Sequence, residues 1–162
     1  MPRMTGAKYL AETLKAYGVS HVFLVPAVLR KSLAEMDMVG IKRVVTHGEK
    51  AAAYMADGYA RASGKVGVCM AQSVGAVNLA AGLQDAFLGL SPVLALTGHK
   101  SNLQQARNAY QEIEHSKPFA STTKFSAVVD SVNDLPGLLH QAFREATTGA
   151  PAPVHLCLLY TS

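Results

Sequence analysis

The stretch that decides the fold runs from Thr46 to Arg61 and reads THGEKAAAYMADGYAR. A single carboxylate, Glu49, stands where a helix would begin, and a run of small residues follows it. The alanines on or near the same helical side as Glu49 are Ala52, Ala53, Ala56 and Ala60. Side chains this small let another backbone or a flat ligand come close. A purely structural role also fits, because a carboxylate favours the positive end of a helix dipole and alanine is a good helix former.

Helix and strand patterns alternate on both sides of this segment. Strands are predicted at 21–25, 41–45, 66–71, 92–97, 124–129 and 154–158. Helices are predicted at 5–17, 29–38, 49–63, 74–90 and 133–147, and 99–120 is predicted to be mostly loop with one helical turn. Thr5 is a suitable N-cap, and Gly18 and Gly64 follow two of the helices where glycine commonly ends them.

The short connections between these elements predict right-handed βαβ units and therefore a parallel sheet. We expect an α/β fold, a three-layer doubly wound parallel sheet of about six strands with helices on both faces. No repeat or linker interrupts the chain, so residues 1–162 are expected to form one domain. Ligands of such sheets bind beyond the carboxyl ends of the strands. The loops expected at that edge are 26–28, 47–49, 72–75 and the segment after Gly98.

The composition favours a surface that is partly covered by a partner. Hydrophobic residues make up 49% of the chain and charged residues only 16%. The net charge of +4 comes from 15 Lys and Arg that are spread along the chain, and Trp is absent. Nucleic-acid binding is therefore not expected.

The cysteines and the N-terminal sequence favour a cytoplasmic protein. Cys69 and Cys157 lie in apolar, β-like runs without metal-ligand spacing, which predicts buried free thiols, a reducing compartment and no metal site. The first residues, MPRMTGAKYLAETLKAYG, lack the apolar stretch of a signal peptide. No apolar segment is long enough to span a bilayer, so no membrane association is expected.

An ordered set of motifs resembles a known family. The segment from His47 to Val68 has the pattern H-x-E, then A-A-x-M-A-D-G-Y-A-R-x-x-G-K-x-G-V. Further matching pieces are GVSHVF at 18–23 with VP at 25–26, GAVNL at 75–79, SPVLALTG at 91–98, YQEIE at 110–114, TKF at 123–125 and GAPAPVHL at 149–156. Together they resemble the N-terminal pyrimidine-binding domain of thiamine diphosphate-dependent enzymes, in the acetolactate synthase-like group. The register holds from about residue 5 to 158.

The resemblance implies a role for Glu49. The matching glutamate contacts N1′ of the cofactor's aminopyrimidine ring, so that the neighbouring exocyclic nitrogen can take the proton from C2 of the thiazolium. The other cofactor contacts that the resemblance implies are Val25, Pro26, Ala27, Val74, Gly75 and Asn78. The substrate-facing positions that it implies are His47, His99 and Gln111.

Structural interpretations of three polar residues stay open beside the functional ones. His47 also fits a rim histidine with a structural hydrogen bond, and Gln111 also fits a polar loop side chain. Lys124 is expected to be a surface charge at the start of a strand.

Several loops depart from the family pattern. Gly48 directly precedes Glu49, where the family often has histidine. The loops 72–75 and 26–28 read Q-S-V-G and P-A-V in place of the family's S-G-P-G and P-G-G. Fewer glycines mean less close backbone approach, so the substrate scope of acetolactate synthases is not carried over.

The resemblance also implies parts that this sequence does not contain. Such enzymes bind the diphosphate and Mg²⁺ through a second domain that carries a G-D-G motif followed by asparagine, and no G-D-G occurs here. Some relatives also bind FAD through a middle domain, so FAD is an open possibility. We therefore expect this chain to be inactive alone and to share thiamine diphosphate with a second domain or subunit of the same enzyme. A homo-oligomer, a dimer or a tetramer, is expected.

Three functions stay open on the sequence. The first is the pyrimidine-binding half of a lyase or transferase that acts on a 2-oxo acid. The second is a separate small (alpha) subunit of a two-subunit 2-oxo acid decarboxylase, such as the sulfopyruvate decarboxylase type. The third is a degenerate, non-catalytic binding or regulatory domain. The presence of Glu49, Asn78 and Gln111 argues against the third.

Overall fold

The computed structural model describes residues 4–26, 29–99, 107–108 and 110–159. Its strands are β1 (His21–Leu24), β2 (Lys42–Val45), β3 (Gly67–Gln72), β4 (Val93–His99), β5 (Phe125–Val129) and β6 (Val154–Leu159). Its helices are α1 (Gly6–Ala16), α2 (Arg30–Met38), α3 (Glu49–Ser63), α4 (Gly75–Gly82), α5 (Gln84–Leu88), α6 (Ser116–Phe119) and α7 (Leu135–Thr147). The predicted alternation is confirmed, and α6 is the helical turn that was predicted within 99–120.

The six strands form one parallel sheet in the order β2-β1-β3-β4-β6-β5. From β1 the chain passes through α2 to β2, which lies on one side of β1. From β2 it passes through α3 to β3, which lies on the other side of β1. The topological switch point therefore lies between β1 and β3, where sheets of this kind bind ligands. The prediction of a doubly wound α/β fold is confirmed.

Two hydrophobic layers cover the sheet because the strand residues alternate between its faces. Val68 and Met70 of β3 join one layer, whereas Cys69 and Ala71 join the other. The first layer packs against α1, α2 and α7 through large side chains: Leu10, Leu14, Leu33, Met36, Leu139 and Phe143. The second layer packs against α3 and α4 and consists mainly of alanine. The layer beside Glu49 is consequently thin.

Direct backbone contact explains why α3 is so thin along one side. A Cβ atom at Gly67 of β3 would collide with the carbonyl oxygen of Ala56. A Cβ atom at Gly82 of α4 would come within 2.7 Å of the Cβ atom of Ala53 and 2.8 Å of the carbonyl oxygen of Lys50. The alanines of this face are all buried: Ala52, Ala53, Ala56 and Ala60. They admit backbones of this same chain, so the predicted close backbone approach is confirmed, and contact with a flat ligand stays a prediction.

Polar residues in the second half of α3 hold this helix against neighbouring elements. Asp57 is buried and forms a 2.8 Å ion pair with Arg61, which lies one helical turn further on. Arg61 also donates a 3.2 Å hydrogen bond to the carbonyl oxygen of Asp85 in α5. The hydroxyl of Tyr59 lies 2.8 Å from that of Ser20, just before β1. These contacts fix the orientation of α3 and therefore the direction in which Glu49 enters the site.

The predicted helix at 74–90 is wrong as one element, because the structure divides it into α4 and α5. The break falls at Leu83, whose N–H bonds to the carbonyl oxygen of Ala80, three residues earlier. Gly82 stands directly before the break, where it packs on Ala53. Glycine is a poor helix former. The residue that allows α4 to pack closely on α3 therefore also lowers the helix propensity at the break.

The described residues bear out the expected state of both cysteines. Cys69 and Cys157 are buried free thiols. Burial raises the pKa of the Cys69 thiol, and burial also raises that of Cys157 to about 11. No helix in the described part of the chain has the length and apolar character needed to cross a membrane.

Candidate functional site

The carboxyl ends of the strands gather the predicted site loops on one edge of the sheet. Because β1 to β4 are parallel neighbours, the segments that follow them share this edge. The segments after β2 and β3 lead directly into α3 and α4, which begin at Glu49 and Gly75. For the described residues of these loops the predicted common rim is thereby confirmed, and it includes the switch point between β1 and β3.

A short, hydrogen-bonded turn presents Glu49 at the start of α3. The N–H of Thr46 bonds to the carbonyl oxygen of Leu24 at 2.9 Å, which ties the end of β2 to β1. The Thr46 hydroxyl donates to the carbonyl oxygen of Gly48 at 2.9 Å. Gly48 has an extended backbone and is the N-cap residue of α3. Glu49 is thus the first residue of the helix, and it is half-buried.

The structure brings three predicted site residues into contact. The side-chain amide of Asn78 donates a 3.2 Å hydrogen bond to Oε2 of Glu49. Gly75 stands so close that an added Cβ atom would lie 2.5 Å from Oε1 of Glu49. Gly75 and Asn78 are one turn apart on α4, so they meet the carboxylate from the same helical side. The carboxylate that α3 presents is therefore oriented by contacts from α4.

The remaining predicted cofactor contacts line the same edge of the sheet. Val25 is half-buried and Pro26 is exposed, directly after β1. Val74 is 47% exposed and precedes α4. Ala27 lies outside the described residues. The structure thus offers apolar surface on both sides of the switch point.

The predicted substrate-facing residues lie in different places. His47 is exposed on the rim, before the N-cap of α3. A ring nitrogen of His99 lies 3.0 Å from the carbonyl oxygen of Ile113, and its ring meets that of His115 edge-on at 5.0 Å. The amide of Gln111 donates to the hydroxyl of Tyr110 at 3.1 Å. His99 accordingly ends β4 and Gln111 lies between β4 and α6, whereas His47 adjoins Glu49.

A buried polar network lies beneath the rim, and the sequence reasoning missed it. Its members are Thr97, His115, Ser126 and His155, which we call the imidazole network. Burial lowers the pKa of His155 to about 3 and that of His115 to about 4, so both rings are neutral at physiological pH. The signal available in the sequence was His155 within an otherwise apolar strand. A buried histidine there needs polar partners from elsewhere in the chain.

The fold and the oriented carboxylate define a class of protein, an α/β domain that presents a glutamate at the switch point of a doubly wound sheet. The chain belongs to the family described as "Thiamine pyrophosphate enzyme, N-terminal TPP binding domain", whose profile matches residues 4–118. The resemblance inferred from the motifs is therefore confirmed.

Curated relatives agree with the family assignment. Over 160 residues, 96% of this chain, it is 39% identical to a probable acetolactate synthase large subunit of Methanocaldococcus jannaschii. It is 40% identical over 154 residues to acetolactate synthase isozyme 2 large subunit of Escherichia coli (strain K12), and 38% identical over 152 residues to a chloroplastic acetolactate synthase of Arabidopsis thaliana. These alignments cover 93% and 92% of this chain. The chain spans only 27%, 28% and 23% of the length of these three relatives.

Proposed function

We propose that this chain supplies the pyrimidine-binding half of a thiamine diphosphate-dependent lyase or transferase that acts on a 2-oxo acid. The observation that carries the proposal is the Glu49 carboxylate, held by Asn78 and flanked by Gly75 at the switch point of the sheet. The matched family and the acetolactate synthase relatives support the same function.

The residues present fit an aminopyrimidine ring. Asn78 donates a hydrogen bond to Oε2 of Glu49. The other carboxylate oxygen, Oε1, lies next to Gly75, which has no side chain. Glu49 then holds a proton between its carboxyl group and N1′ of the ring, which is general acid–base chemistry. When bound, thiamine diphosphate supplies a thiazolium carbon that becomes nucleophilic towards a 2-oxo group. Val25, Pro26 and Val74 are apolar surfaces for the flat ring.

The flanking loops supply the other proposed contacts. Ala27, the next residue in the sequence after Pro26, is a further proposed cofactor contact, and His47 is proposed to face the substrate beside Glu49. His99 approaches the substrate from the end of β4, and Gln111 from the segment between β4 and α6.

A second domain or subunit completes the proposed site. It supplies the diphosphate contacts and Mg²⁺, which no G-D-G motif in this sequence provides. Apolar side chains near the rim and on α3 and α4 fit a surface covered by that partner: Val45, Tyr54, Met55, Val74 and Val77, which are 37–62% exposed. We further propose a homo-oligomer in the cytoplasm, where buried free thiols persist, and FAD is a second possible cofactor of the assembled enzyme.

The central test replaces Glu49 by glutamine in the assembled enzyme. Proton exchange at the thiazolium C2 of bound cofactor is measured by NMR. We expect Glu49→Gln to slow the exchange roughly 10²- to 10⁴-fold, the usual contribution of general acid–base catalysis. Glu12→Gln, at an exposed position on α1, is the matched control. Unchanged exchange in Glu49→Gln would refute the proposed role of Glu49.

The assembly is tested by the intact mass of the protein from its natural source. A mass several times the 17.1 kDa of this chain would support one polypeptide that carries both halves of the site. A mass near 17.1 kDa, with a co-purifying subunit that contains G-D-G, would support the two-subunit arrangement. A protein of 17.1 kDa with no diphosphate-binding partner would contradict the proposed function.

A further inference from the structure

A cavity lies at the carboxyl edge of the sheet, on the face that α1, α2 and α7 cover. Its volume is about 170 Å³, and Val129 and Leu158, near the ends of β5 and β6, line it from the sheet. The three helices begin beside it, since their first residues, Gly6, Arg30 and Leu135, are part of the lining. The helices α3 and α4, which carry the carboxylate of the proposed cofactor site and its partners, pack on the other face. The cavity is therefore separate from that carboxylate.

The start of α2 presents hydrogen-bond donors to this cavity. The first three residues of the helix, Arg30, Lys31 and Ser32, all line it. The N–H groups in the first turn of a helix have no acceptors within the helix. A polar N-cap side chain usually accepts from one of them, but the N-cap residue of α2 is Leu29, which makes no such bond. This end of α2 therefore suits an anion, which the positive end of the helix dipole also favours.

The side chain of Ser32 is a second, independent indication of a ligand. Ser32 is 7% exposed, and it lines the cavity. Its hydroxyl makes no hydrogen bond with another described residue, and it is not sealed from solvent as the hydroxyl of Ser91 is. The small part of Ser32 that remains accessible therefore faces the cavity. A hydroxyl that is largely buried needs a hydrogen-bond partner, and an acceptor atom of a ligand would supply one.

The charges around the cavity favour a negatively charged ligand. Arg30 and Lys31 bring positive charge, and Asp130 is the one carboxylate among the described residues that line the cavity. The positive ends of the α1 and α7 dipoles add to that of α2, because all three helices begin here. Helix N-termini and cationic side chains are common partners of carboxylate and phosphate oxygens. The polar end of the ligand is therefore an oxyanion.

The rest of the lining is largely apolar and limits the size of the ligand. Five buried residues supply most of this surface: Ala7, Leu10, Val129, Leu135 and Leu158. A free phosphate ion would leave that surface in contact with water, whereas an aliphatic chain would cover it. The volume of the cavity equals the space of about six water molecules, at roughly 30 Å³ each. The cavity thus fits an oxyanion that carries a short apolar chain.

We propose that this cavity binds a small aliphatic carboxylate. The carboxylate group lies at the start of α2, where the Ser32 hydroxyl and the Lys31 ammonium donate to it. The aliphatic chain packs against Leu10 and Leu135. The proposal does not rest on the proposed function, because none of the residues that line the cavity is a proposed cofactor or substrate contact.

The first test is a titration of the 162-residue chain with butanoate, followed by backbone amide shifts in NMR. We expect saturable shifts at Ala7, Lys31, Ser32 and Leu135, with a Kd on the order of 1 mM, as befits so small a ligand. Two further probes divide the ligand into its parts: 1-butanol has the chain without the charge, and inorganic phosphate has the charge without the chain. Each should bind at least about tenfold more weakly than butanoate. Equal binding of either probe, or no saturable shifts with butanoate, would overturn the proposal.

Two variants test the groups that hold the carboxylate. Ser32→Ala removes the hydroxyl and Lys31→Met removes the ammonium, and each should weaken butanoate binding about three- to tenfold. Lys65→Met, at an exposed position shortly before β3 and thus at the opposite edge of the sheet, is the control. Its Kd for butanoate should equal that of the parent. Parent-like affinity in both Ser32→Ala and Lys31→Met would show that the start of α2 does not bind the carboxylate.

The sign of the ligand's charge is tested at Asp130. Asp130→Asn removes the carboxylate from the lining, and butanoate should then bind about two- to threefold more tightly, because a like charge has been removed. Asp130 is exposed, so we expect this variant to fold as the parent does. Ala7→Leu fills the cavity and should abolish the shifts at Lys31 and Ser32. Weaker or unchanged binding of butanoate by Asp130→Asn would contradict an anion site.

Discussion

Gly75 and Glu49 are in such close contact that glycine is the only residue that leaves the carboxylate in place. An added Cβ atom at Gly75 would lie 2.5 Å from Oε1 and 2.9 Å from the carboxyl carbon of Glu49. Real Cβ atoms do not approach other atoms so closely, and the Glu49 side chain is the flexible partner. A side chain at position 75 would therefore displace the carboxylate from Asn78.

We predict that Gly75→Ala damages the site much more than the fold. Gly75 is the first residue of α4, and alanine is a better helix former, so the free energy of unfolding should change by less than about 1 kcal/mol. The displaced carboxylate should weaken binding of a probe, the free aminopyrimidine half of thiamine, about tenfold or more. Isothermal titration and urea denaturation of the same samples would measure both effects.

Gly137→Ala is the matched control for this prediction. Gly137 lies in α7, and a Cβ atom there would meet no atom within 4 Å. It should stabilise the helix slightly and leave probe binding at the parent value. Parent-like binding by Gly75→Ala would show that the contact with Glu49 does not control the site.

The sequence was sufficient for the fold because its signals are local. Apolar periodicity, caps and glycines at helix ends mark each element independently, and short connections then force a parallel sheet. The break between α4 and α5 was missed because it depends on a tertiary contact, the packing of Gly82 on Ala53. No pattern within residues 74–90 reveals which helix they pack against.

The candidate site was predictable where motifs of the resembled family carry it and unpredictable where segments without such motifs meet. Glu49, Gly75 and Asn78 were expected together, and the structure joins them. The imidazole network was not expected, since its members lie in separate segments that only the strand register aligns. Ser126 pairs with His155 between β5 and β6, and Thr97 pairs with Cys157 between β4 and β6.

Gly67 should tolerate no side chain, for a reason that concerns the fold alone. An added methyl would collide with the backbone of Ala56, which cannot move without separating α3 from β3. We expect Gly67→Ala to lower the free energy of unfolding by about 3 kcal/mol or more, as overpacking against a rigid backbone does. Gly58→Ala, at an exposed α3 position with no atom within 4 Å, should instead raise it by about 0.5–1 kcal/mol. Equal melting temperatures for the two variants would refute the backbone contact.

Lys124 does more than the surface charge that the sequence suggested. Its ammonium donates to the carbonyl oxygens of Glu145, Thr148 and Ala150 at 3.0, 2.7 and 3.1 Å, at and beyond the end of α7. The Glu145 carbonyl lies in the last turn of α7 and the Thr148 carbonyl at its C-cap, so the ammonium meets the negative end of the helix dipole, and the Ala150 carbonyl lies just beyond the helix. The sequence could not show this contact because the partners lie 21 to 26 residues away.

We therefore predict that Lys124→Met lowers the free energy of unfolding by about 1–2 kcal/mol. Lys117→Met is the control, because the Lys117 side chain is 82% exposed and its ion pair among the described residues is with the exposed carboxylate of Glu114, a contact that solvent screens. Chemical denaturation measures both values. A loss at Lys124 no larger than that at Lys117 would mean that the three carbonyl contacts do not contribute.

The imidazole network should make the fold sensitive to acid. Burial lowers the pKa of His155 to about 3 and that of His115 to about 4, from an ordinary value of 6.5. Between pH 6.5 and the lowered pKa of each ring, the two histidines bind protons in the unfolded chain but not in the folded chain. Stability is therefore fully present above pH 6.5 and falls as the pH drops towards 4 and then 3, by up to about 1.4 kcal/mol per pH unit for each histidine.

His155→Gln tests whether the acid sensitivity arises from the buried histidines. The variant keeps a hydrogen-bonding amide near Nε2 and removes one buried titratable ring. Urea midpoints measured from pH about 8 down to about 5 should fall less steeply in this variant than in the parent, since one fewer proton separates the two states. His140→Gln should retain the parent slope, because His140 is exposed and meets the hydroxyl of Tyr17 at the surface. If His155→Gln and the parent lose stability equally over this range, the acid sensitivity arises elsewhere and the ring of His155 is not buried as a neutral group.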